Sequence, residues 1–324
     1  MGILNIRESR RSGARLVVGI AGISGSGKTY TALQLAYGLA EFDAKKVGLL
    51  DTENRRGSLY ADALRHPETG EVQRFLIGDL DAPFSPARYK AAILEFQAAG
   101  VEVLVIDSVS HEWEGLGGCH DIASPPGSTL KVKRWNEAKA EHKSFMNTLL
   151  ASDMHVIACI RARNKVELVK GDGGKVEYNS LGVMPIQEEN FMFEATASMM
   201  MWNAGRAQQS LKIPDELKGV LGRETGYITA EDGFALRRWV DGAAPIAPEI
   251  ERARNLLRTT TERGLRALQK AWTDLPAATR STISPDGKCP TDLKAAAEEF
   301  DRQRRTAGND DETAATANAA VANV

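Results

Sequence analysis

Short apolar runs rich in β-branched residues recur along most of this chain, and between them lie stretches with an apolar residue every three or four positions. That alternation predicts strands joined by crossover helices, and hence a mainly parallel sheet flanked by helices. Strands are expected at Arg15–Ala21, Lys46–Glu53, 72–77, Val101–Ser108, His155–Ile160 and Ala195–Trp202. Helices are expected at Tyr30–Leu39, from Pro86 to a stop at Gly100, from about Lys131 to Leu150, and briefly over 188–193. The Pro86 helix carries Tyr89, Ile93 and Phe96 on one face. Past a proline-containing linker at Ala243–Pro248, three apolar sets repeat at helical spacing: Ile250, Ala253 and Leu257; Leu265, Leu268 and Trp272; Leu293, Ala296 and Phe300. The chain thus divides into a loose arm (1–14), an α/β core (15–242), a small helical module (243–305) and a tail of small and polar residues (306–324) expected to be disordered.

Composition changes little in this picture. The 324 residues are 43% hydrophobic and 26% charged, with a net charge of −2, so any nucleic-acid contact must come from a local patch. No apolar run reaches the ~18 residues that span a membrane, and a cytoplasmic setting is expected. Cys119, Cys159 and Cys289 are few and scattered, which reads as free thiols in a reducing compartment.

The chemistry concentrates where the first strand meets the first helix. Gly22-Ile23-Ser24-Gly25-Ser26-Gly27-Lys28-Thr29 fits G-x-x-x-x-G-K-[ST] in the strand–turn–helix setting that makes this pattern a phosphate cradle. Gly22, Ser24, Gly25, Ser26, Gly27, Lys28, Thr29 and Tyr30 are the candidate nucleotide-binding residues. Lys28 is placed to reach the β- and γ-phosphates and Thr29 to ligate magnesium. Asp51 and Glu53 close the second strand at the sheet edge where open α/β sheets place ligands, so a base that orients water against a γ-phosphate belongs there. Asp107 ends the apolar run 101–106 and is the expected carboxylate for the magnesium ion. ATP and Mg²⁺ are the ligands this arrangement predicts.

A P-loop, then a strand ending in Asp-x-Glu, then an apolar strand ending in Asp107-Ser108, resembles the RecA-like branch of P-loop ATPases. The continuation Val109-Ser110-His111-Glu112-Trp113-Glu114-Gly115 is similar to phage-encoded RecA-like proteins, labelled AAA-family ATPases and associated with recombination and single-strand annealing. This resemblance implies a RecA-like fold over roughly 15–241. It also implies that Glu53 activates water and that Arg161 senses the γ-phosphate at the end of its strand; should Glu53 not be the base, Glu112 is the next candidate. Family members carry Lys-x-Arg aimed at a neighbouring subunit's ATP; here Lys212 matches, but Pro214 replaces the arginine. Arg206 and Arg223 are the alternatives. A homo-oligomeric ring or filament follows from the resemblance, as does a partnership with a single-strand-binding protein or another phage recombination protein, in a host cytoplasm.

Two patches are candidates for single-stranded DNA. Lys131, Lys133 and Arg134 surround Trp135 at a helix start, combining phosphate contacts with base stacking, although a solvated helix face with a buried tryptophan fits equally. Arg163 and Lys165 belong to a hairpin predicted from two apolar–polar runs flanking Gly171-Asp172-Gly173-Gly174, for which an exposed charged hairpin with no partner is the competing reading. Residues 111–130 have little periodicity and read as a long loop. His111, Cys119, His120 and Asp121 lie within it at a spacing that fits no closed zinc pattern. The expected activity is magnesium-dependent ATP hydrolysis acting on single-stranded DNA. The competing readings are an ATP-driven loader or remodeller of a protein partner and, more distantly, a nucleotide kinase.

Overall fold

In the computed structural model, residues 14–125, 131–170, 176–242, 248–284 and 287–305 are described. The arm before residue 14, the hairpin turn 171–175, the linker 243–247 and the tail from 306 lie outside them. The chain forms two compact units, Met1–Pro245 and Ile246–Val324.

The first unit is built on one sheet. Its strands are β1 (Val17–Gly22), β2 (Val47–Asp51), β5 (Leu76–Asp79), β6 (Val103–Asp107), β7 (His155–Lys170), β8 (Val176–Pro185), β9 (Ala197–Trp202) and β10 (Ala207–Lys212). The order is β10-β9-β1-β7-β6-β2-β5; only β10 and β8, which pairs with β7, run antiparallel to their neighbours. Every residue of β1, β2 and β6 is buried, which is why their sequences are continuous apolar runs rather than alternating ones. Two helices, α2 (Pro86–Ala98) and α5 (Lys131–Leu150), share one apolar cluster with the sheet: Tyr89, Ile93, Phe145 and Leu149 pack with Leu104, Ile106, Val156 and Ile160. On the sheet's other strand-alternating set packs α1 (Lys28–Leu39), backed by α7 (Ala230–Val240). Those two helices approach so closely that a methyl group on Gly38 would lie 1.7 Å from the Ala230 carbonyl oxygen. The result is an α/β unit with a mostly parallel sheet flanked by helices, as the sequence pattern predicts.

Three expectations need correction. The run 72–77 is not one strand: Val72–Gln73 (β4) pairs with Leu64–Arg65 (β3) in a separate ribbon, where Arg74 reaches Asp62 at 2.9 Å, and the main sheet is joined only from Leu76. Residues 110–123 hold two short helices, α3 (Ser110–Glu114) and α4 (Cys119–Ala123), with Gly115, Gly117 and Gly118 between them. Their cue was the buried i, i+4 pair Cys119 and Ala123, too short a repeat to register as periodicity. The brief helix expected over 188–193 is α6 (Phe191–Glu194). Met199, Met200 and Met201 of β9 are buried and fill the core, as expected of soft, adaptable side chains.

The second unit contains α8 (Pro248–Thr261), α9 (Leu265–Asp274), α10 (Ala277–Ile283) and α11 (291–305) around Leu257, Leu268, Trp272, Cys289 and Ala297. The Asp301 carboxylate accepts the Leu265 amide at 2.9 Å and so holds the start of α9.

One buried histidine makes the first unit acid-sensitive. His155 is 2% exposed at the start of β7, and its Nδ1 accepts the Leu16 amide at 3.1 Å. Burial, helped by Arg15 and Arg237, pushes its pKa down to about 4. The folded state therefore holds the neutral ring, so stability is complete above the ordinary histidine pKa of ~6.5 and is lost as pH falls toward 4. The loss is about 3 kcal/mol at ~1.4 kcal/mol per pKa unit. In denaturant titrations across pH 7 to 4, wild type minus His155→Asn, which keeps an acceptor but does not titrate, should show this slope; parallel curves would refute it.

Candidate nucleotide site

The phosphate loop joins β1 to α1. Gly25 and Gly27 adopt φ of 77° and 88°, the left-handed region that glycine enters freely, and a methyl on Gly27 would meet the Ala204 carbonyl carbon at 2.8 Å. No side chain caps α1, so its first amides remain directed at the loop, an anion-binding end. Lys28 is buried, and its Nζ donates to the Gly22 and Ile23 carbonyls at 2.9 and 3.0 Å. The Ser26 hydroxyl is buried without a hydrogen-bond partner. A helix start without a side-chain cap, an unsatisfied hydroxyl and a lysine resting on backbone carbonyls fit a bound phosphate chain.

The carboxylates arrive from the neighbouring strands. Asp51 and Asp107 are register partners of β2 and β6, at the same edge as the loop. Thr29 Oγ1 donates to Asp107 Oδ2 at 2.5 Å. Burial pushes the Asp107 pKa up, a shift opposed by the Thr29 hydrogen bond and by the charge of Lys28. Such a carboxylate beside a hydroxyl suits a hard divalent cation, whose charge offsets the burial.

Asp51 and Glu53, which the sequence leaves as a pair, do different jobs. Asp51 is 2% exposed and accepts the Glu53 and Gly57 amides, both at 2.6 Å, so it shapes the loop. Glu53 lines the cleft with its carboxylate unclaimed by backbone. Its Oε1 lies 3.8 Å from Arg161 Nε and 3.9 Å from His111 Nε2.

Because β7 lies between β1 and β6, Arg161 is level with Gly22 and two residues beyond Cys159, the partner of Asp107. Its guanidinium donates to His111 Nε2 at 3.1 Å. That fixes the tautomer: Nδ1 carries the hydrogen and donates to Thr52 Oγ1 at 2.8 Å. Burial lowers the His111 pKa, with Arg161 also lowering and Glu53 raising it, and the ring stacks on Phe84 with centroids 4.8 Å apart. A cleft of about 540 Å³ results, lined among others by Ser24, Gly25, Lys28, Thr29, Glu53, Asp107, His111 and Arg161. This is an ordinary ligand-pocket size.

Of the other candidates, Gly22, Ser26 and Gly27 shape the loop from behind, and Tyr30 is half-exposed outside the cleft lining. Arg163 lines the cleft and forms a two-pronged pair with Glu114 at 2.8 and 2.9 Å. Lys165 is exposed on β7, and Lys133 and Arg134 are exposed at the start of α5. The Lys131 side chain lies outside the described residues. Trp135 is half-buried against Trp113 and His120. The Lys212 amine donates to the Phe193 and Ala195 carbonyls at 2.6 and 2.7 Å. Arg223 is buried in a pair with Asp232 at 2.9 Å, and Arg206 donates to the Tyr227 hydroxyl. Glu112 is fully buried and turned away from the cleft. His111, Arg56, Tyr60 and Glu114 line the cleft without having been expected there. For His111 and Glu114 the available cue was their place just past the Asp107 strand.

Residues 14–186 match the family model described as an AAA domain. The match covers more than half of the chain, and the protein belongs to that family of P-loop nucleotide-binding ATPases. Its members generally bind ATP with Mg²⁺. No curated protein matches the chain. Among the described residues, no helix is long and apolar enough to cross a membrane.

Proposed function

We propose that this protein hydrolyses ATP with Mg²⁺ as a RecA-like ATPase acting on single-stranded DNA, in phage recombination or replication. The observation that carries this reading is the convergence of Lys28, Asp107, Glu53 and Arg161 on one cleft, with Arg161 at the root of the β7–β8 hairpin. Thr29 and Asp107 would hold magnesium, which would supply positive charge to the phosphate oxygens. Lys28 leaves the two loop carbonyls for the β- and γ-phosphates. Glu53 orients a water molecule and takes its proton as the water oxygen bonds to the γ-phosphorus and the β–γ bridging oxygen leaves with ADP. Arg161 shifts from His111 and Glu53 toward the γ-phosphate, so the hairpin is tied to the nucleotide state. Assembly into a ring or filament places Lys212 toward a neighbour's ATP, which requires it to exchange its present carbonyl partners. ATP and DNA are then coupled because both favour the assembled state.

The test is ATPase activity with and without single-stranded DNA, together with a variant in which Lys131, Lys133 and Arg134 are all alanine. Stimulation by DNA is expected. The triple variant should keep basal turnover and bind DNA more weakly, its salt slope falling by about 0.7 per lost phosphate contact. No stimulation and an unchanged slope would favour a loader or remodeller of a protein partner.

A further inference from the structure

Behind the nucleotide cleft, three helices bring a carboxylate, a thiol and an imidazole to one point. Glu112 of α3, Cys119 of α4 and His142 of α5 are all buried, and one ligand atom of each lies within 4.8 Å of the others. Cys119 Sγ is 3.2 Å from Glu112 Oε1, and His142 Nδ1 is 3.1 Å from both Glu112 oxygens. Trp113, Trp135, Ala123 and Ala138 wall the cluster, and none of the three ligands lines the nucleotide cleft.

We propose that Glu112, Cys119 and His142 form a binding site for one divalent transition-metal ion of the zinc class. A sulfur, a nitrogen and an oxygen donor are the set that zinc accepts, and three protein ligands leave a fourth position for a small ligand. Magnesium, which takes oxygen ligands, is excluded by the thiol. Without an ion, the fully buried carboxylate is held by one N–H shared between its two oxygens and one weak S–H donor, a thin shell for a buried charge. A dication bound to one carboxylate, one thiolate and one neutral imidazole leaves no net charge in the cluster. Burial and the Glu112 carboxylate keep the free thiol protonated. Binding therefore proceeds as Cys–SH plus M²⁺ giving Cys–S–M⁺ plus H⁺, the proton leaving to solvent. The ion ties α3, which presents His111 and Glu114 to the cleft, to α5, which carries the basic residues Lys133 and Arg134.

The full chain, stripped of metal with a chelator, is titrated with Co²⁺ and followed by absorption. One equivalent should produce a thiolate-to-cobalt charge-transfer band in the near ultraviolet, and Zn²⁺ should abolish it. The band should be lost in Cys119→Ser. In His142→Gln, affinity should fall by more than the ~100-fold that outer-shell changes cost. The double variant Cys159→Ser/Cys289→Ser, which keeps Cys119 as the sole thiol, should retain the band, so the test does not depend on Cys119→Ser folding. A folded wild type without the band, a band that survives in Cys119→Ser, or its loss from the double variant would overturn the site and leave a hydrogen-bonded cluster.

Discussion

Lys28→Ala is expected to lower ATP turnover by at least about 10³-fold, at the upper end of what removing one well-placed charge-stabilising donor costs. Its amine is the cation seated in the phosphate loop itself, and alanine leaves the loop with amides alone to meet several negative charges. Nucleotide affinity should also fall. The fold should survive, because the amine's hydrogen bonds in this structure go only to two loop carbonyls. Phosphate release, binding of a fluorescent nucleotide and circular dichroism separate the three effects. Unchanged turnover would mean that this loop is not the hydrolytic phosphate site.

Glu53→Gln should separate binding from chemistry. The amide preserves shape but cannot accept the water's proton, so turnover should drop by about 10²–10⁴-fold while magnesium–ATP binding stays within a few-fold of wild type. The structure sharpens this expectation. Asp51 is committed to two backbone amides and Glu112 is sealed on the far side of α3, so neither carboxylate can take over. Near-normal turnover in this variant would remove Glu53 as the base.

The strands that build the cleft were readable because parallel, doubly covered strands need uninterrupted apolar runs; β1, β2, β6 and the first part of β7 all show one. The phosphate loop was readable because its chemistry is local, with the glycines, lysine and threonine adjacent in the chain. The division of labour between Asp51 and Glu53 was not, since both are strand-end acids and only the fold of residues 51–57 decides which one the backbone consumes. The edge strand was misplaced because β5, with Leu76 and Ile77 40% exposed, lacks the burial that makes a strand conspicuous. The Glu112–Cys119–His142 cluster escaped for a related reason: its members come from three helices whose meeting is set by packing, and no spacing in the chain encodes it.

The sixteen-residue strand β7 runs unbroken from His155 in the core to Lys170. At ~3.3 Å per residue, the part beyond Arg161 extends about 30 Å. In mechanical terms it is a cantilever clamped between β1 and β6, with Arg161 at the clamp and a register shift between Lys165 and Val166 partway along. A small rotation at the clamp becomes a larger sweep farther out, reduced by whatever flexing the register shift allows. Any motion of the outer hairpin would thus be geared to Arg161, and a load on the hairpin would return to the cleft along the same strand.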